Sequence, residues 1–395
     1  MTTARRRAVA LAILAGLVIV LVVLLTRAGG ETGAPSTAGP GIGDGGSGYR
    51  EPAPRGTAGV APPPPGQSRA ERRASTDLPV PLARAAARLF LVGFGGTEPP
   101  ASLRRREWGA VLVDPANAAT PARLGRVTRR TEAVARAARH EPPLVAAGQL
   151  GGEDAALAGI GPPRQPSIRT PAAAERAAAA AGRALRRRGV TLALAPSADL
   201  RTAGGPWQDR GFSDDPEEAG ELVAGAVTGW RQARVAPVVG HFPGEGGATQ
   251  DPELGVASVG LGTQELRDRD LVPFAAVART APAVQLSGAL FVGFDAVTPA
   301  TLDPGVVRAL RAQRFDGVVV SANLTAVTAA TGGGVGDAAV AALVAGCDLL
   351  FVPGDRTDQE EAYRAVVAAV RAGAVAPARV REALERLERL RTAVA

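Results

Sequence analysis

The chain has 395 residues, a formal net charge of +7 and one cysteine. That length suits one large domain with appendages, and a single cysteine excludes an intrachain disulfide and a cysteine-rich metal site. None of the 45 basic side chains is lysine. The arginines are scattered over helix-like stretches without interleaved aromatics, so there is no nucleic-acid footprint and no nucleic-acid partner is expected.

Residues 8–25 are apolar apart from Gly16, and Arg5, Arg6 and Arg7 precede them. The run is long enough to approach a membrane span, and the arginines place the N-terminus on the cytoplasmic side. A cleaved signal peptide is the rival reading, although its apolar core is normally shorter. Residues 1–27 are therefore expected to form a cytoplasmic tip and anchor. The rest of the chain is expected outside the cell membrane, or secreted if the segment is removed. Residues 28–77 are rich in Gly, Pro, Ser and Ala and include Pro62 to Pro65. Such a segment cannot bury a core and reads as a disordered linker.

From residue 78 to 395 the pattern alternates. Short apolar runs at 89–94, 110–114, 144–148, 191–196, 236–241, 283–294, 317–324 and 348–352 read as strands. Helical periodicity fills 121–139, 172–188, 217–234, 263–280, 304–313 and 337–345, with a last amphipathic helix at 377–391. Repeated strand–helix units imply an α/β fold with a parallel sheet. Eight of them predict a (β/α)8 TIM barrel, with an open doubly wound sheet as the alternative. Active sites of such barrels lie at the C-terminal ends of the strands, so the strand ends are where chemistry is expected.

The run 236–239 leads into Gly240-His241-Phe242-Pro243-Gly244-Glu245-Gly246, with Asp251-Pro252-Glu253 shortly after. A histidine beside a Phe-Pro-Gly turn and three carboxylates marks a shaped loop at a strand end. The other histidine, His140, is distant in sequence and follows a helix end, where the helix dipole accounts for it. No metal site or cofactor is expected.

This segment resembles the motif KHFPGHG followed by Asp-Ser-His in glycoside hydrolase family 3, in particular its single-domain bacterial beta-N-acetylhexosaminidases. The resemblance implies that the motif's Lys and first His hold the sugar, and that the Asp and last His form a general acid/base dyad. His241, Phe242, Pro243, Gly244 and Asp251 match. Gly240 stands in place of the Lys, Glu245 replaces the second His, and Glu253 replaces the dyad His.

The likeness extends over roughly residues 85–391. The family's Asp-Gln-Glu-Gly-Gly becomes Gly148-Gln149-Leu150-Gly151-Gly152, so the Asp that binds sugar hydroxyls is Gly148. Arg210, in Arg210-Gly211-Phe212 before Asp215-Pro216, aligns with a substrate-binding arginine. A tie from Arg210 to Asp199 or Asp214 for loop structure alone is an equal reading. The frame Phe315-Asp316-Gly317-Val318 leads to Ser321-Ala322-Asn323-Leu324 where the family has Ser-Asp-Asp-Leu. Ala322 thus occupies the nucleophile position, and retaining hydrolysis needs a carboxylate there.

The expected function is a membrane-tethered, catalytically inactive module that binds an amino-sugar glycan or an envelope protein. The alternative is an active or repurposed beta-N-acetylhexosaminidase-like enzyme acting on peptidoglycan or related glycans. The site residues are then Arg210, His241, Gly148 and Gly240 for substrate, with Asp251 and Glu253 as residual acid/base groups.

Overall fold

A computed structural model describes residues 78–157 and 159–395. The expected anchor at 1–27 and linker at 28–77 lie outside the described residues. Among the described residues, no helix is long and apolar enough to cross a membrane.

The strands are β1 (Phe90–Val92), β2 (Ala110–Leu112), β3 (Leu144–Gly148), β4 (Leu192–Ser197), β5 (Ala236–Phe242), β6 (Ser258–Val259), β7 (Ala283–Leu286), β8 (Leu290–Phe291), β9 (Val318–Asn323) and β10 (Leu349–Val352). Eight of them close into a barrel in the order β1-β10-β9-β7-β5-β4-β3-β2, with parallel pairing throughout. The closed barrel, not the open sheet, is the fold. Its strands are short because every residue of a parallel sheet covered on both faces must be apolar or hydrogen-bonded. Residues Phe90, Leu91 and Val92 of β1 are wholly buried.

The helices start on definite signals. Pro121, Pro171, Pro216 and Pro304 each open a helix, and Thr120, Thr170, Asp215 and Asp303 cap them through side-chain oxygens. Proline lacks an N–H that the first turn could not use, and the caps satisfy N–H groups left over.

Two expected elements divide. The stretch 263–280 forms two helices, Thr263–Asp268 and Val272–Val277. Pro273 lies in the first turn of the second helix, where its ring and missing N–H prevent an unbroken helix from passing through. The stretch 283–294 ends its barrel strand at Leu286, and Leu290–Phe291 pairs with Ser258–Val259 outside the barrel. Ser287 Oγ accepts from Ala289 N at 2.9 Å and turns the chain between them. Helices Leu324–Thr331 and Arg356–Arg371 lie outside the expected set.

At the N-terminal end of the barrel, fully buried Asp348 receives Arg311 (3.0 Å), Arg386 (3.3 Å) and Arg379. It also accepts from Val319 N at 3.0 Å. Arg379 and Arg386 come from the last helix, Pro377–Val394, so one carboxylate ties that helix, β9 and β10 together.

Candidate active site

A pocket of about 480 Å³ opens at the C-terminal ends of the strands. Its lining includes Gly148, Arg210, Gly240, His241, Asp251, Glu253 and Ala322. Every residue singled out from the sequence as substrate-binding, acid/base or nucleophile position therefore faces one cavity.

β5 delivers His241. The next residue, Phe242, is wholly buried and meets Phe274 edge-on at 5.2 Å. Such a pair is worth about 0.5–1.5 kcal/mol beyond its buried area, so Phe242 anchors the strand end from behind. Gly244 has φ +124°, and a Cβ there would come within 2.6 Å of Asp270 Cβ. Glycine is required by both backbone and space.

Asp199, just past β4, organises the floor. Its Oδ1 accepts from Glu245 N (2.7 Å) and His241 N (3.3 Å), and its Oδ2 accepts from Ser197 Oγ at 2.8 Å and lies 2.9 Å from His241 Nδ1. Glu245 Oε2 lies 3.6 Å from the same ring nitrogen and accepts from Trp207 Nε1 at 3.2 Å. Burial alone would lower the His241 pKa, but the carboxylates of Glu245 and Asp199 outweigh it and push it up to about 9. Burial pushes the Glu245 carboxyl up to about 7, against the opposing pull of His241. The pair holds its proton on the imidazole.

Trp207 joins the inner and outer parts of the site. Its ring centroid is 4.9 Å from that of His241, and the Arg210 guanidinium sits 4.4 Å from its centroid. Arg210 donates twice to Pro206 O (3.1 and 3.0 Å) and once to Asp251 Oδ2 at 2.7 Å. The partner of Arg210 is thus Asp251, not Asp199 or Asp214.

The two carboxylates expected as acid/base groups, Asp251 and Glu253, are both engaged. Asp251 holds Arg210, and its Oδ1 accepts from Glu253 N at 3.0 Å. Glu253 Oε2 accepts from Asn323 Nδ2 at 2.7 Å. Burial raises the Glu253 pKa, partly offset by that bond. Asn323 Oδ1 caps the helix Leu324–Thr331, accepting from Thr325 N (3.1 Å) and Ala326 N (3.3 Å). Beside it Ala322 is nearly buried and presents only a methyl group.

The two glycines are not forced by space. A Cβ at Gly240 would lie 3.9 Å from Gln285, and one at Gly148 would lie 3.8 Å from Ala156 Cβ, both ordinary contacts. A Cβ would fit at both positions.

Trp207, Asp199 and Glu245 as a bonded unit escaped the sequence reading. Trp207 did carry a signal, as one of three tryptophans and set in a Gly-Pro loop beside Arg210. His140 lies outside the pocket lining, with Nδ1 3.0 Å from Leu103 O.

Residues 96–390 match the profile of the Glycosyl hydrolase family 3 N terminal domain. A beta-hexosaminidase of Methylococcus capsulatus is 35% identical over 185 residues, 46% of this chain and 55% of that protein. The chain thus spans about half the length of that curated relative. A beta-hexosaminidase of Xanthomonas oryzae pv. oryzae is 30% identical over 287 residues, 67% of this chain and 83% of the relative. The solved beta-N-acetylglucosaminidase from Paenibacillus sp. FPU-7 superposes with a TM-score of 0.75 at 29% identity, covering 80% of this chain and 63% of that one.

Proposed function

Because the chain belongs to glycoside hydrolase family 3, we propose that it is an amino-sugar-binding module that keeps the family's barrel and pocket without its hydrolytic machinery. The observation that carries this reading is the pair Ala322–Asn323 at the end of β9. A methyl group offers no attacking oxygen. The neighbouring amide is a helix cap bonded to Glu253, so it is neither a carboxylate nor free to move. The named relatives are a beta-hexosaminidase and a beta-N-acetylglucosaminidase, which supports an amino-sugar glycan as the ligand. Arg210, Trp207 and His241 supply the polar fork, the ring and the cation that such a ligand meets in the pocket. An envelope protein is the alternative partner.

The test pairs hydrolysis with binding. Purified protein should not release product from an aryl N-acetylglucosaminide, yet should bind N-acetylglucosamine-containing muropeptides by calorimetry. Turnover abolished by Asp251→Ala would overturn the inactive reading. Absence of any muropeptide binding would overturn the glycan reading.

A second reading rests on Glu245, whose pKa stands at about 7, and Glu253, also raised. Acid-assisted, water-mediated glycoside cleavage requires one protonated carboxyl as acid and one ionised carboxylate as base across the pocket, roles that Glu253 and Glu245 would fill. Under this reading slow turnover is present, falls on Glu253→Gln and gives the inverted anomer by NMR.

We also propose that residues 1–27 tether the domain to the cell membrane with the barrel outside. The support is the apolar run 8–25 behind three arginines. Full-length protein should sediment with membranes and a form lacking residues 1–27 should not. Equal distribution of both forms would overturn the tether.

A further inference from the structure

The floor of the pocket carries a donor set of which the glycan reading uses only His241. His241 Nδ1, a carboxylate oxygen of Asp199 and a carboxylate oxygen of Glu245 all lie within 4.8 Å of one another. The first two are 2.9 Å apart, and the imidazole and Glu245 oxygen are 3.6 Å apart. Ligands of a tetrahedral ion held at about 2.0–2.2 Å are separated by roughly 3.3–3.5 Å. Binding would open the closest pair by a few tenths of an ångström and draw Asp199 and Glu245 together from a gap of at most 4.8 Å, so that the three meet on one ion. We propose that Asp199, His241 and Glu245 bind a divalent transition ion of the zinc type, with its fourth position open to the pocket.

Three features distinguish this set from a solvated acidic patch. It mixes one imidazole with two carboxylates, a combination suited to zinc-type ions, whereas magnesium and calcium sites are built from oxygens. Asp199 and Glu245 are 1% and 3% exposed. The carboxylates are also oriented from outside the triad. Ser197 Oγ donates to Asp199 at 2.8 Å, and Trp207 Nε1 donates to Glu245 at 3.2 Å. Outer hydrogen bonds of this kind hold metal-ligating carboxylates in place.

The charges also close. Two carboxylates and a neutral imidazole sum to minus two, which one divalent ion cancels. The ion would take the place of the proton on His241 Nδ1, 2.9 Å from Asp199 Oδ2, and that proton would leave to solvent. His241 and Glu245 both line the pocket, so an ion has an entry path and room for a water or a ligand oxygen. The site stands whether or not a glycan binds, since its ligands are set by Asp199 and the Phe-Pro-Gly turn.

The test uses full-length, untagged protein in detergent, stripped with a chelator and titrated with zinc chloride by calorimetry. Co2+ absorption serves as an independent reading of coordination. The expected result is one saturable ion per chain at micromolar affinity or tighter. Glu245→Gln should weaken it at least tenfold while retaining the native melting profile, and His241→Ala should abolish it. Asp251→Asn, which changes a carboxylate of the same pocket outside the triad, should leave it unaltered. Absence of saturable binding to the unmodified protein would overturn the proposal. So would undiminished binding in Glu245→Gln, or a loss confined to Asp251→Asn.

Discussion

Asp270 allows a quantitative test of the packing behind the pocket. It is 1% exposed, lies between the two short helices that replace the expected long one, and touches the Gly244 turn. Neither carboxylate oxygen has a hydrogen-bond partner from another residue. Burial raises its pKa, Arg269 opposes this and Asp199 adds to it, moving the value from 3.8 to about 6. At 1.36 kcal/mol per pH unit this corresponds to about 3 kcal/mol. The protonated form is the stable one in the folded state. The folded protein is therefore unpenalised below pH 3.8 and loses stability as pH rises through about 6. Asp270→Asn removes the titration and leaves the shape nearly unchanged. The stability of the variant relative to the parent should grow by about 3 kcal/mol between pH 2.5 and pH 8. For roughly 320 folded residues at about 2.1 cal/mol/K each, that is a Tm difference widening by about 4–5 °C. Paired thermal melts at the two pH values measure it. A Tm gap that is the same at both would refute the account of Asp270 as a buried, unpartnered charge.

Asn323→Ala removes a cap and the partner of Glu253. It should cost about 1 kcal/mol in urea unfolding, and it should loosen the 249–256 loop in hydrogen exchange. Gly240→Ala, whose Cβ would make only ordinary contacts, should cost less than Gly244→Ala, which should lose more than about 1 kcal/mol through its φ and its contact with Asp270. The contrast can be read from the two melts. Ala322→Asp alone should not yield hydrolysis of an aryl N-acetylglucosaminide, because the position of the dyad histidine is still Glu253. Robust turnover in that single variant would contradict the assignment.

The eight barrel strands were legible because a parallel strand buried on both faces leaves an unbroken apolar run. What periodicity missed were interruptions. The apolar spacing of 263–280 passes through Asp270 without a break, and only Pro273 marks where one helix stops and another begins. The site was legible to the extent that it follows strand ends. His241, Arg210 and Asp251 were expected from their loops and meet in one pocket. Their partners were not, because nothing local ties Arg210 to a carboxylate 41 positions on, or Trp207 to Glu245 across 38. Such pairs arise from tertiary strand pairing, which sets β4 beside β5 and so brings the loops that follow them together.

The Asp348 clasp and the pocket sit at opposite ends of the same strands. The base of the barrel therefore has a fastening of its own, made of charges that do not enter the pocket. Alanine, glycine and an amide at Ala322, Gly148, Gly240 and Asn323 on the pocket side leave that clasp untouched. The charges that brace the base of this barrel are spatially separate from the groups that line its pocket.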